Sequence, residues 1–137
     1  MRDIADLKAT RPGTNLVAEF DRVFCKDHEI PVQRIESAEG VTFADADVRL
    51  KLLMAADRMM MMKVYFTKGS VIPVHRHDDH STIVCLQQGR LKVNIGGETF
   101  IANPGDVWQH PRGVPHNHEA LEDSYVLEIK APAVKTW

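Results

Sequence analysis

From Asp47 onward the chain alternates, with Val48, Leu50 and Leu52 apolar and Arg49 and Lys51 charged between them. Successive side chains on a strand point to opposite faces, so a period of two predicts a half-buried strand. Ala55-Ala56-Asp57-Arg58 reads as the turn that follows it, and residues 59–67 as the returning strand. The alternation resumes at Leu91, Val93 and Ile95; Gly96-Gly97 is a two-residue hairpin signal, and residues 98–102 return. Asn103-Pro104-Gly105-Asp106 turns into 107–109, and 124–130 is the last strand, with Tyr125, Leu127 and Ile129 on one face. Residues 81–86 differ, being apolar on both faces from Ile83 onward. If Thr82 points inward, so do Val84 and Leu86, while Ile83 and Cys85 point outward and need cover. Short strands separated by Gly and Pro turns predict an all-β barrel or sandwich.

The first 46 residues carry no such pattern. Residues 3–10 are predicted as a short helix ended by Arg11-Pro12-Gly13, since proline resists continuation and glycine permits the turn. The apolar pieces 16–20, 23–25 and 32–35 are broken by charges and by Pro31, and read as an N-terminal arm or edge strands (1–46) covering a barrel formed by 47–137. His28, in the polar run Lys26-Asp27-His28-Glu29, belongs on the surface. Met59 to Met62 cannot converge on one ion if they lie on a strand, so two fill the core and two cover an outer surface.

At 137 residues the chain is one domain, long enough for a sizeable core. A formal charge of −2, without a run of either sign, argues against nucleic acid or an anionic membrane as partner and for a small-molecule substrate, neutral or anionic. No apolar run approaches the ~20 residues of a membrane span. The N-terminus lacks the apolar core of a signal peptide, and Cys25 and Cys85 stand far apart outside any CxxC pattern. A cytoplasmic location with both thiols reduced is expected.

The candidate chemistry lies in histidines. Between Gly69 and Gly89, His75 and His77 stand two apart in an apolar, β-branched setting, so both imidazoles share one face of a strand. The stretch from Gly105 ends in His116, placed behind the turn residues Pro111 and Gly113. Neutral imidazole is the commonest metal ligand, and three of them leave part of a coordination sphere open. These segments resemble the two motifs of the cupin superfamily: Gly, five residues, His-x-His, a short gap, Glu, six residues, Gly; then Gly, five residues, Pro-x-Gly, two residues, His. Gly69, His75, His77 and Gly89 match the first, and Gly105, Pro111, Gly113 and His116 the second. The resemblance implies a cupin double-stranded β-helix, or jelly-roll barrel, and a divalent metal on His75, His77 and His116. Thr82 stands where the motif has its glutamate ligand, and Ala120 where the second motif closes on asparagine. In this the chain resembles the three-histidine cupins: gentisate, β-diketone-cleaving and dihydroxyacetophenone dioxygenases.

Further histidines surround this trio. His80 shares the parity of Thr82 and is a candidate fourth ligand, with a rim or surface position as the alternative. His118 shares the face of His116 and is the candidate catalytic residue, able to hydrogen-bond or take a proton because its unperturbed pKa lies near neutrality. His110, just before Pro111, reads as a turn histidine, and Arg76, Arg90 and Arg112 as solvated. Three neutral imidazoles leave the metal's charge uncompensated, which favours a chelating anion. The resemblance implies Fe(II), with Zn, Ni, Mn and Cu as alternatives, and a dioxygenase cleaving a small enolisable or hydroxyaromatic carbonyl compound. Residues 97–123 also resemble small single-domain cupins that process unsaturated uronates in pectin and alginate breakdown, where the metal is a Lewis acid; those carry Gln at the position of Thr82. A cupin that binds a small ligand without catalysis is a third expectation. A homodimer is expected from outward Ile83 and Cys85 and the surplus methionines.

Overall fold

The computed structural model of the chain describes residues 23–56 and 58–137. The helix expected at 3–10 and the apolar piece at 16–20 lie outside the described residues. In chain order the strands are β1 (Gln33–Ile35), β2 (Ser37–Ala38), β3 (Val41–Thr42), β4 (Val48–Ala56), β5 (Met59–Phe66), β6 (Val71–His75), β7 (Ser81–Gln88), β8 (Leu91–Ile95), β9 (Glu98–Ala102), β10 (Val107–His110), β11 (His116–Ala120) and β12 (Ser124–Ala131). A six-stranded sheet runs β1-β4-β5-β12-β7-β10 and faces a four-stranded sheet, β6-β11-β8-β9; β2 and β3 form a separate hairpin. The pairings are antiparallel, which makes this the all-β jelly-roll expected from the strand pattern.

Alternation places the core. Val48, Leu50 and Leu52 of β4, Met60, Met62 and Val64 of β5, and Val84 and Leu86 of β7 meet Ile72, Leu91 and Val93 of the smaller sheet. Burying each such side chain contributes about 1.5–3 kcal/mol. Two methionines are inside as expected, while Met59 is 49% exposed and Met61 half-buried on the outer face. Thr82, Val84 and Leu86 point inward, and Ile83 outward. β4 runs through 55–56, read from sequence as a turn, because the register shifts between Leu52 and Met54 and Ala55 then pairs with Met60. Such a bulge inserts one residue and resets which side chains face in.

The arm is structured where it is described. Lys51 Nζ donates to the carbonyl of Asp27 at 2.9 Å and Lys63 Nζ reaches the Asp27 carboxylate at 3.3 Å, while Cys25 Sγ donates to Leu53 O at 3.3 Å. This segment covers the outer side of β4 and β5, which is why Lys51 is buried; His28 stays exposed, as expected. β1 is an edge strand on β4. The β2–β3 hairpin turns at Glu39 (φ 53°) and Gly40 (φ 76°), and Glu39 N–H donates to Thr136 O at 2.9 Å, tying it to the C-terminal segment.

Candidate metal centre

β6 ends at His75, and β11 begins at His116 directly across the pair. His77 follows in the loop after β6, and its carbonyl accepts from Gly113 N–H at 2.8 Å, so the Pro111–Gly113 turn of one motif anchors the histidine of the other. One ring nitrogen from each of His75, His77 and His116 lies within 4.8 Å of the other two. The remaining nitrogens are committed: Nδ1 of His75 to Pro73 O at 2.9 Å, Nδ1 of His77 to Glu39 Oε1 at 2.7 Å, and Nδ1 of His116 to Val114 O at 3.2 Å. Each of these acceptors requires an Nδ1–H, which leaves the lone pair on Nε2. His116 Nε2 is buried with no hydrogen-bond partner. A buried acceptor left unpaired costs about 1–3 kcal/mol, so three convergent lone pairs fit a cation. These residues suit a divalent metal, and imidazole alone does not choose among Zn, Fe, Ni and Cu.

Glu39 is one residue that sequence reading missed, as it missed Lys130 and Glu128. The Glu39 carboxylate fixes the tautomer of His77, a carboxylate–histidine–metal arrangement. His80 also lies near, sharing a 4.8 Å group with His77 and Glu39 rather than with the main trio. Its Nδ1 donates to Asp79 Oδ1 at 2.8 Å and its Nε2 faces Lys130 Nζ at 3.1 Å. Thr82 is fully buried, and its Oγ1 also accepts from Lys130 Nζ, at 3.2 Å. Where the motif expects a carboxylate, the chain therefore presents a hydroxyl and an ammonium.

The histidine trio and Lys130 line a cavity together with His110, His118 and Glu128. His118 is inward as expected, edge-on to Phe66 at 5.0 Å, and its Nδ1 has no partner. Burial and the neighbouring His116 push its pKa down to about 3, so it is neutral at ordinary pH and a poorer base than its unperturbed value suggests. His116 is lowered to about 4, first by desolvation and then by His75, and His75 and His77 are lowered chiefly by desolvation as well. Glu128 moves the other way: burial raises its pKa, with Lys130 opposing. His110 stacks on His116 with ring centres 3.7 Å apart and accepts from Trp108 Nε1–H at 3.2 Å, so it is part of the site and more than a turn residue. Arg76, Arg90 and Arg112 are exposed, as expected.

A jelly-roll barrel with three histidines converging inside it defines the class of small metal-binding cupins. The Cupin domain family matches residues 62–129. The chain is 32% identical over 80 residues to the pectin degradation protein KdgF of Dickeya dadantii (strain 3937), covering 58% of this chain and 73% of that protein. It superposes on the structure of KdgF from Halomonas sp. with a TM-score of 0.70 at 28% identity, over 80% of this chain and 94% of that one. It is also 31% identical over 51 residues to quercetin 2,3-dioxygenase of Bacillus subtilis (strain 168), 37% of this chain but 15% of that enzyme. The chain belongs to the cupin superfamily.

Proposed function

We propose that the protein is a metal-dependent enzyme acting on a carboxylate-bearing sugar, an unsaturated uronate of the kind produced in pectin breakdown, without a change of oxidation state. The observation that carries this reading is a buried ammonium: Lys130 lies in the same cavity as the trio of histidines, in a chain related over most of its length to a pectin degradation protein. Pectin is built from acidic sugars, and a buried ammonium in the cavity wall favours an anion over a neutral sugar. Held by His75, His77 and His116, a divalent metal supplies Lewis-acid polarisation of a substrate oxygen. Glu128, its carboxyl raised by burial, keeps its proton to higher pH than an exposed glutamate and is placed to deliver it to a sugar oxygen. Neutral His118 hydrogen-bonds the substrate through Nδ1.

The test is proton NMR of an unsaturated galacturonate with the zinc- or nickel-loaded protein. The sugar's vinylic signal should disappear without oxygen uptake; an unchanged spectrum with every divalent metal would overturn the reading. One observation favours a second reading, an Fe(II) dioxygenase of enolisable or hydroxyaromatic carbonyl compounds: the histidine trio has Thr82 rather than a carboxylate beside it. Oxygen consumption by iron-loaded protein with diketones, hydroxyaryl ketones or gentisate-like acids separates the two.

A further inference from the structure

Thr82 lies between two donors on a single row of the six-stranded sheet. β10 pairs with β7 so that His110 is opposite Thr82, and β12 pairs with β7 so that Lys130 is opposite Thr82 on the other side. All three are buried, at 2%, 0% and 2% exposure. The ring of His110 and the chain of Lys130 line the cavity that holds the histidine trio. Trp108 Nε1–H donates to His110 Nε2 at 3.2 Å. An indole N–H only donates, so the lone pair of His110 is on Nε2 and its ring proton on Nδ1. That Nδ1–H is buried and has no hydrogen-bond partner. Lys130 Nζ, meanwhile, is fixed in place by His80 Nε2 at 3.1 Å and Thr82 Oγ1 at 3.2 Å. Buried donors are as a rule satisfied, so an N–H left over on a cavity wall two strands from an ammonium marks a place for a ligand's acceptor.

We infer that His110 Nδ1–H and the Lys130 ammonium form an anion subsite across Thr82 that takes the carboxylate of the substrate. The inference rests on reading the cavity as the site of an acidic substrate, and it assigns the residues that select it. It also explains the threonine. A glutamate at position 82 would set a carboxylate between the two donors and occupy them; a short hydroxyl steadies the ammonium and leaves the gap open. Trp108 is then a positioning residue, acting on the substrate only through the tautomer of His110.

The zinc-loaded protein, labelled with 15N-histidine, tests this with acetate as the probe. Millimolar acetate should shift the His110 Nδ1–H resonance in the native protein. Lys130→Met should weaken acetate binding about tenfold or more, the expected loss for a charge-assisted hydrogen bond. Trp108→Phe, which keeps Lys130 and most of the core volume, should mix the two His110 tautomers in the 15N spectrum and weaken acetate as well, with zinc content unchanged in both variants. An unmoved His110 resonance would overturn the subsite, as would acetate binding equally tight in the native protein and in whichever variants fold. Titrating D-galacturonate against D-galactose in the same protein tests the sugar-acid reading separately. A response to acetate without preference for galacturonate leaves the subsite standing and sinks that reading.

Discussion

Glu39 is held at φ 53°, a left-handed conformation that costs a β-carbon-bearing residue about 1–2 kcal/mol, while its carboxylate meets His77 at 2.7 Å. The strain sits where the chemistry needs the side chain. Glu39→Asn should therefore leave fold stability within about 1–2 kcal/mol, because the relief of an Asn-Gly turn is offset by the lost bond to buried His77, and should weaken metal binding about 10–100-fold. Urea unfolding and a competitive chelator titration measure the two effects; metal affinity unchanged in the folded variant would contradict the role given to Glu39. His116→Ala goes further and removes one of three ligands. It should empty the site of metal while circular dichroism still shows β-structure, and metal retained in stoichiometric amount would exclude the trio as the ligand set.

Elements are where the sequence was most and least informative. The spacing of His75, His77 and His116 was legible because motif turns place them locally, and the inward parity of Thr82 followed from the same register. Glu39 and Lys130 were not, since their partners His77 and His80 lie 38 and 50 residues away. β12 also inverts the usual pattern. Its apolar Tyr125, Leu127 and Ile129 are half-buried or exposed, while Val126, Glu128 and Lys130 turn toward the cavity or core. Alternation shows that a strand has two faces; here the face that carries Glu128 and Lys130, and not the more apolar one, turns inward. The β7–β8 turn makes a sharper prediction. Gly89 has φ 93°, and a β-carbon there would lie 2.4 Å from Asp123 O and 2.7 Å from Ser124 Cα. Since backbone must move, Gly89→Ala should cost about 2 kcal/mol or more in urea unfolding, and a loss within experimental error would show that the turn readily opens.

The clustered imidazoles set the acid limit of the whole molecule. Burial lowers His116 to about 4 and His118 to about 3, and holds His75, His77 and His110 down too. Between those values and the ordinary 6.5, the unfolded chain binds more protons than the metal-free fold. Stability is thus full above about pH 6.5 and falls as pH drops, by about 1.4 kcal/mol per unit for each such histidine. Glu128 works in the opposite sense, its contribution being lost as pH rises through its raised pKa, but it is one group against five. Urea midpoints that do not move between about pH 7 and 5 would refute this. On the outside, Met59, Ile83, Val107 and Ile129 are 49%, 53%, 62% and 36% exposed on one face of the larger sheet. We propose that a second copy of the chain covers them; light scattering should give twice 15.5 kDa, and a monomer at micromolar concentration would count against it.

Thr136 and Trp137 stand at the cavity wall beside Ala38 and Phe43, where the Glu39 N–H to Thr136 O bond clasps the hairpin. Residues nearly 100 positions apart in sequence thus share one stretch of the cavity wall. Occupancy should accordingly be visible from the outside: a bound ligand resting on Trp137 would change the fluorescence of its indole, and that change would become an assay for substrates whose chemistry is still untried.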